Sequence, residues 1–287
     1  MSRIAYVNGR YERHGEASVH IEDRGFQFAD AVYEVWSVFD GRLADYSGHM
    51  LRLWRSLDAL SIPHPMSEPA LSVILNTVIR KNRIREGMVY LQVSRGAAPR
   101  DHVFPGADLP PTVVVTAKAV DRAQHARKAA QGVAVITVPE NRWGRCDIKT
   151  VGLLPNCMAK TTARDAGASE AWFVDAEGYV TEGTSTNAWI VTPDGAIVTR
   201  DLGANILHGV TRRTILALAA EQGLRFEERP FTVDEAKAAA EAFFSAATAL
   251  VMPAVSIDGV KIGDGTPGPV ARGLREAYIN RAFVTAE

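Results

Sequence analysis

Four dipeptides, Asn8-Gly9, Asp40-Gly41, Asp194-Gly195 and Asp258-Gly259, constrain this chain more than any other feature. Asn-Gly and Asp-Gly tolerate the positive φ that a tight turn demands, so a chain carrying them between short apolar runs doubles back on itself. The first two read as hairpin turns; the later two, with Asp175 to Gly178, read as turns between short strands. Strands are expected over Ile4 to Val7, Val32 to Phe39, Met88 to Ser94, Thr112 to Lys118, Val133 to Val138, Ala171 to Val174 and Asn187 to Val191. Between them lie helical patterns at Ser47 to Leu60, Glu68 to Asn82, Pro155 to Ala166, Gly209 to Gln222 and Gly268 to Phe283. In the first of these Met50, Leu53, Leu57 and Leu60 form the buried stripe, which leaves Arg52, Arg55 and Asp58 off it. Helices interspersed with hairpins, with no regular strand-helix period, predict an α+β fold rather than a doubly wound parallel sheet.

With 287 residues, 47% of them hydrophobic, the chain can build one large domain or two of ordinary size. The polar, Ala-rich stretch 121–131 predicts a linker between a smaller N-terminal domain, 1–120, and a larger C-terminal domain, 132–287. A net charge of -1 supplies no global field for nucleic acid or an anionic membrane. No run approaches the roughly 18 apolar residues of a membrane span. The N-terminus lacks the pattern of a signal peptide, and Cys146 and Cys157 would close only a short loop. Two free thiols and a cytoplasmic location are therefore expected.

Gly263-Asp264-Gly265-Thr266-Pro267-Gly268 matches the G-x-G-x-x-G pattern, but it follows a short hairpin with the chain nearly finished. A nucleotide fingerprint should close the first strand of a βαβ unit, so a turn and a helix start with proline near its first position are expected instead. The seven histidines never fall at the short paired spacing of a zinc site, and no metal is expected. Neither a Gly-x-Ser-x-Gly elbow nor a Walker loop is present.

Three segments carry chemistry. Lysine is scarce, seven against twenty-five arginines, and Lys149 stands in a mostly apolar stretch, Arg145 to Pro155, just before a helix. The neutral amine of a lysine in a weakly polar site attacks carbonyls to form a Schiff base; the alternative is a snorkelling lysine at a strand end. Lys160, on the helix that follows, reads as an ordinary solvated residue. In Thr181-Glu182-Gly183-Thr184-Ser185-Thr186-Asn187 an acid precedes small hydrogen-bonding residues. The segment is either a polar turn or a place where Glu182 keeps a pyridine nitrogen protonated. Gly209-Val210-Thr211 opens a helix and offers backbone N–H groups to an anion, with Thr248 and Arg52 able to complete a phosphate cradle. The plainer reading is a helix cap, a turn hydroxyl and a surface arginine.

Together with Glu22 to Phe28, Val32 to Val35, the His49 and Arg52 pair, Gln92 to Gly96, Arg145 to Lys149 and Glu182 to Asn187, these segments resemble the fold-type IV (class IV) pyridoxal phosphate aminotransferases, and within them the D-amino-acid transaminase branch. The resemblance spans nearly the whole chain. It implies two α/β-type domains and pyridoxal 5'-phosphate joined to Lys149, which then moves the substrate proton as base and acid. It implies that Glu182 pairs with the ring nitrogen and that Leu207 packs near the ring. Arg52, the N–H groups of Val210 and Thr211, and the Thr248 hydroxyl would hold the phosphate.

Tyr33, Arg100 and His102 would form a trap for the substrate carboxylate, the last two supplied by the neighbouring subunit of a homodimer. The implied reaction is ping-pong transfer of an amino group from a D-amino acid to 2-oxoglutarate or pyruvate. Alternatives on the same scaffold are a branched-chain L-amino-acid or (R)-amine transaminase, an aminodeoxychorismate lyase, and a non-catalytic binding protein. The chain departs from many members in reading Ala29-Asp30-Ala31 where they have Gly-Asp-Gly, and Ala247 stands where a second hydroxyl is often seen. The first substitution removes backbone freedom and adds methyl groups near the expected site.

Overall fold

The computed structural model describes residues 3–106 and 108–285 and divides into two compact units. The first runs to Asp121 and also takes Ile148–Gly152 and the end of the chain from Ala282; the second comprises Arg122–Asp147 and Leu153–Arg281.

In the first unit the chain order is β1 (Ile4–Val7), β2 (Arg10–Arg13), α1 (Arg24–Phe28), β3 (Ala31–Phe39), β4 (Arg42–Leu43), α2 (Tyr46–Ala59), α3 (Glu68–Asn82), β5 (Gly87–Ser94) and β6 (Thr112–Ala119). The strands form one antiparallel sheet in the order β2-β1-β6-β5-β3-β4. Asn8 and Gly9 turn between β1 and β2 at φ 42° and 93°, and Asp40 and Gly41 between β3 and β4 at 47° and 80°, as the dipeptides require. Met50, Leu53 and Leu57 of α2 and Leu71, Leu75 and Val78 of α3 pack with Val32, Trp36, Val38, Val89 and Leu91 of the sheet in one core. At about 25 cal/mol per Å² of apolar surface, burial on this scale is the main force holding helices to sheet. Arg52 departs from expectation: it lies beside the α2 stripe yet is 7% exposed, because Glu34 of β3 receives its guanidinium.

The second unit contains α4 (Arg122–Gln131), β7 (Val133–Pro139), α5 (Leu154–Asp165), β8 (Glu170–Val174), β9 (Val180–Gly183), β10 (Asn187–Val191), β11 (Ile197–Thr199), α6 (Val210–Glu221), β12 (Phe226–Glu228), α7 (Val233–Lys237), β13 (Glu241–Ala246), β14 (Leu250–Ile257), β15 (Val260–Lys261) and α8 (Pro269–Thr285). Its sheet runs β12-β11-β10-β13-β14-β7-β8-β9, with β15 on β14. Pairing is mixed: β11 with β12, β14 with β7 and β7 with β8 are parallel, the others antiparallel. The fold is α+β, as the hairpin signals require.

The boundary differs from the sequence expectation. Residues 122–131 are the helix α4 of the second unit rather than a linker, and 148–152 return to the first. Only Ala129 of α4 is buried, so its hydrophobic signal was too weak to distinguish a helix from a polar connector. The Gly263 to Gly268 run is a turn leading to α8, whose first residue is Pro269. Glu241 of β13 accepts the N–H groups of Val270 and Ala271 there, so a buried carboxylate caps this helix.

Candidate active site

Lys149 is positioned by β-type pairing with the first residues of β3. The Tyr33 N–H donates to the Lys149 carbonyl at 3.0 Å, the Val151 N–H donates to the Ala31 carbonyl at 3.2 Å, and Val32 bridges Thr150. Ile148, beside it, is buried in the core of the first unit. With its backbone held on both sides, the half-buried lysine sends Nζ to 4.2 Å from the centroid of the Tyr33 ring. Among the described residues no carboxylate pairs with this ammonium. Tyr33 is in turn 5.6 Å from the Tyr90 ring, whose hydroxyl donates to Gln92 Oε1 at 2.7 Å. Burial, with the neighbouring Tyr33 adding to it, pushes the Tyr90 phenol up to about 12, so it stays a neutral donor. Lys160, by contrast, is not merely solvated. It donates to the Ser169 carbonyl at 2.6 Å and pairs with the fully buried Glu170 at 3.3 Å.

Arg52 Nε and Nη2 donate to the two oxygens of Glu34 at 2.7 and 2.8 Å, and His49 Nδ1 lies 2.7 Å from the same carboxylate. Burial pushes the Glu34 carboxyl up, but Arg52 and His49 more than offset this and hold it at about 2. His49 is pushed below its ordinary value, first by burial, against the pull of Glu34. The surface reading of Arg52 is thus wrong, and Glu34 is a positioning residue that sequence reasoning passed over. Its one available signal was an acid inside the apolar run of β3.

Arg100 and His102 are exposed on the loop after β5 and meet at Phe28. The Arg100 guanidinium lies 4.6 Å from that ring's centroid, and the His102 ring lies 5.6 Å from it. Tyr33 keeps company with Lys149 and Tyr90 instead.

In the second unit, Glu182 is 4% exposed at the end of β9 and is surrounded by donors. Arg142 Nη1 forms an ion pair with it, Asn187 Nδ2 donates at 3.2 Å, and the Leu207 N–H donates to both oxygens at 3.2 and 3.1 Å. Leu207 therefore acts here through its backbone. Arg142 also bonds Glu140 at 2.6 Å and the Asn205 carbonyl at 3.2 Å. Burial pushes its pKa down, but Glu140 and Glu182 more than reverse this and secure the charge. Arg142 gave no sequence signal, since only Glu140 is local and the decisive partner, Glu182, lies far along the chain on β9. The loop after Glu182 is fixed from beneath: Glu170 accepts from the Thr184 N–H and hydroxyl at 3.2 and 2.5 Å and from the Thr186 hydroxyl at 3.2 Å.

α6 starts at Val210 after Gly209, which provides no side-chain cap. A Cβ on Gly209 would meet Asn187 Oδ1 at 2.0 Å, so only glycine lets the chain enter the helix this close to the Glu182 cluster. Thr211 is 3% exposed and its hydroxyl has no partner among the described residues. A buried orphan hydroxyl beside uncapped helix N–H groups is matched to an anion of phosphate type. Thr248 is half-buried in the turn between β13 and β14. Cys146 and Cys157 are unbridged, and burial pushes the Cys146 thiol up to about 11, which leaves it a poor nucleophile at neutral pH.

The family model Amino-transferase class IV matches residues 31–257. The chain belongs to the class IV aminotransferases. Among its relatives, this aminotransferase is 41% identical over 273 residues to D-alanine aminotransferase of Bacillus licheniformis and 37% identical over 274 residues to that of Staphylococcus haemolyticus, covering 95% of both chains in each case. Solved structures that it resembles include the branched-chain amino acid aminotransferase of Escherichia coli, with a TM-score of 0.89 and 25% identity over 100% of this chain and 96% of that one. The branched-chain aminotransferase of the thermophilic archaeon Thermoproteus uzoniensis, solved with norvaline, gives a TM-score of 0.84 and 27% identity over 98% and 94%. Among the described residues no helix is long and apolar enough to cross a membrane.

Proposed function

We propose that this aminotransferase uses pyridoxal 5'-phosphate to move the amino group of a D-amino acid, of which D-alanine is the simplest case, to a 2-oxo acid such as pyruvate or 2-oxoglutarate. The observation that carries the substrate class is the contrast in identity: 41% to a D-alanine aminotransferase over 95% of the chain, against 25 to 27% to branched-chain enzymes of nearly the same fold. When bound, the cofactor supplies the carbonyl that takes up the amino group and a ring that withdraws electrons from the substrate Cα.

The residues divide the remaining work. Lys149 is the amine that holds the cofactor and moves the proton at Cα. Its anchored backbone confines that transfer to one face, which sets the handedness of the product. Glu182, paired with Arg142 and aimed by Asn187 and the Leu207 N–H, would accept the ring N–H and so maintain the positive charge of the electron sink. The N–H groups of Val210 and Thr211, the unpartnered Thr211 hydroxyl, Thr248 and Arg52 bind the phosphate. Arg100 offers two N–H donors to the substrate carboxylate, with His102 and Tyr33 adding one each. A homodimer, in which Arg100 and His102 serve the neighbouring subunit, is part of this reading; it is supported by the contacts of these two residues, which meet at Phe28 while Tyr33 faces Lys149. A cytoplasmic location accords with the two unbridged thiols.

The test is spectroscopic. Protein mixed with pyridoxal phosphate should develop a band near 400 nm that D-alanine abolishes, and borohydride should fix the cofactor on Lys149. Conversion by L-leucine alone would assign the chain to the branched-chain reaction. A band that survives Lys149→Ala would remove the assigned lysine.

A further inference from the structure

One carboxylate lies buried between two arginines in the first unit, outside the cluster around Lys149. Asp30 receives Arg24 Nε at 2.8 Å and Arg95 Nε and Nη2 at 2.7 and 3.0 Å, with all three side chains 3 to 6% exposed. Desolvating such a group costs as much as the ion pairs return, so its value lies in the geometry it imposes. That geometry leads to the loop after β5. Arg24 Nη1 donates to the Asp101 carbonyl at 2.7 Å, and Asp101 stands between Arg100 and His102. The Arg24 guanidinium lies 4.7 Å from the centroid of the Phe28 ring, which also carries Arg100 at 4.6 Å and His102 at 5.6 Å. On the far side of the loop Phe104 sits over Arg95 at 3.9 Å, although 59% exposed. Within the loop the Val103 N–H donates to Asp101 Oδ1 at 3.1 Å, and the contacts with Arg24 and Phe28 tie Arg100 and His102 to the rest of the first unit.

We propose that Arg24 and Phe28 are positioning residues that hold Arg100 and His102 in register for the substrate carboxylate, and that they thereby set the preference for α-amino acids. The inference rests on the carboxylate-trap reading above. Arg24 acts by tying the backbone between Arg100 and His102 to the Asp30 anchor. Phe28 acts by giving both side chains one aromatic ring to pack on.

The experiment compares Arg24→Lys, Phe28→Leu and Arg100→Ala in the cofactor-loaded enzyme, reading KM and kcat for D-alanine and the inhibition constant of propionate, a carboxylate without an amine. Lysine retains the charge but cannot reach Asp30 and Asp101 together. Both positioning variants should raise KM and the propionate constant about tenfold with kcat within about twofold, the signature of lost binding rather than lost chemistry. Phe28 is half-buried, so its leucine variant decides the matter should Arg24→Lys prove insoluble. If Arg100→Ala shifts both constants while Phe28→Leu and soluble Arg24→Lys leave them unchanged, the positioning role is overturned and the trap stands. If Arg100→Ala shifts neither, the trap reading itself has failed and this inference fails with it.

Discussion

Ala29 shows how much a single methyl can matter beside this site. It caps α1 in the left-handed region at φ 57°, ψ 23°, a conformation that favours glycine. An L-residue there is strained by roughly 1 kcal/mol, so Ala29→Gly should raise thermal stability by up to about that amount. A lower melting temperature would show that the methyl's packing outweighs the strain. Glu34 gives a pH prediction. Its carboxyl is held at about 2 against an unfolded value of 4.5, so the stability it contributes is complete above pH 4.5 and is lost as pH falls toward 2. His49 acts in the same direction from a higher pH: its folded value lies below 6.5, so acidification below 6.5 favours the unfolded chain. Denaturant titrations should show stability falling in two stages below pH 6.5, with the lower stage absent in Glu34→Gln. An unchanged acid profile in that variant would refute the assignment. The presence of Lys149 and Glu182 was legible from the scarcity of lysine and the polar run around the acid. Glu34 and Arg142 were not, because a buried ion pair between distant segments leaves no local pattern.

At the scale of the element, turn chemistry was the most readable part of the chain. Asn8-Gly9, Asp40-Gly41, Asp194-Gly195 and Asp258-Gly259 all sit in antiparallel hairpins, the last two between β10 and β11 and between β14 and β15. Strands β13 and β14 escaped notice because they are buried along nearly their whole length, and a continuous apolar run lacks the alternation that identifies a half-exposed strand. The short helices α1 and α7 escaped because five residues cannot display a helical period. The start of α8 yields a further prediction. A Cβ on Gly268 would lie 2.0 Å from the carboxyl carbon of Glu241, whose oxygens cap the helix. Gly268→Ala should therefore displace that cap and destabilise the protein by about 1 to 3 kcal/mol, measured by urea unfolding, whereas Gly273→Ala, with open space around its Cβ, should not. Equal effects at both positions would show that the cap contributes little.

For the whole molecule, the division into units does not follow the order of the chain. Residues 148–152 complete the first unit from a position well inside the second, pairing with β3 and burying Ile148 in its core. A fragment of residues 1–121 should consequently unfold less cooperatively and at lower denaturant than that unit does in the intact chain, having lost about 1.5 to 3 kcal/mol of isoleucine burial as well as backbone pairing. An equally sharp transition at the same midpoint would refute this. The sequence by itself determined the α+β class, the hairpin turns, the five longest amphipathic helices and seven of the strands to within a few residues, because those properties depend on local conformational preference and on periodicity along the chain. Tertiary structure alone decided that a polar stretch is a helix, that Arg52 is buried on Glu34, that Arg142 holds Glu182, and that Asp30 ties Arg24 to Arg95. Each of those depends on groups far apart in sequence sharing one desolvated space, where an unpaired charge is costly and the partner is chosen by the fold.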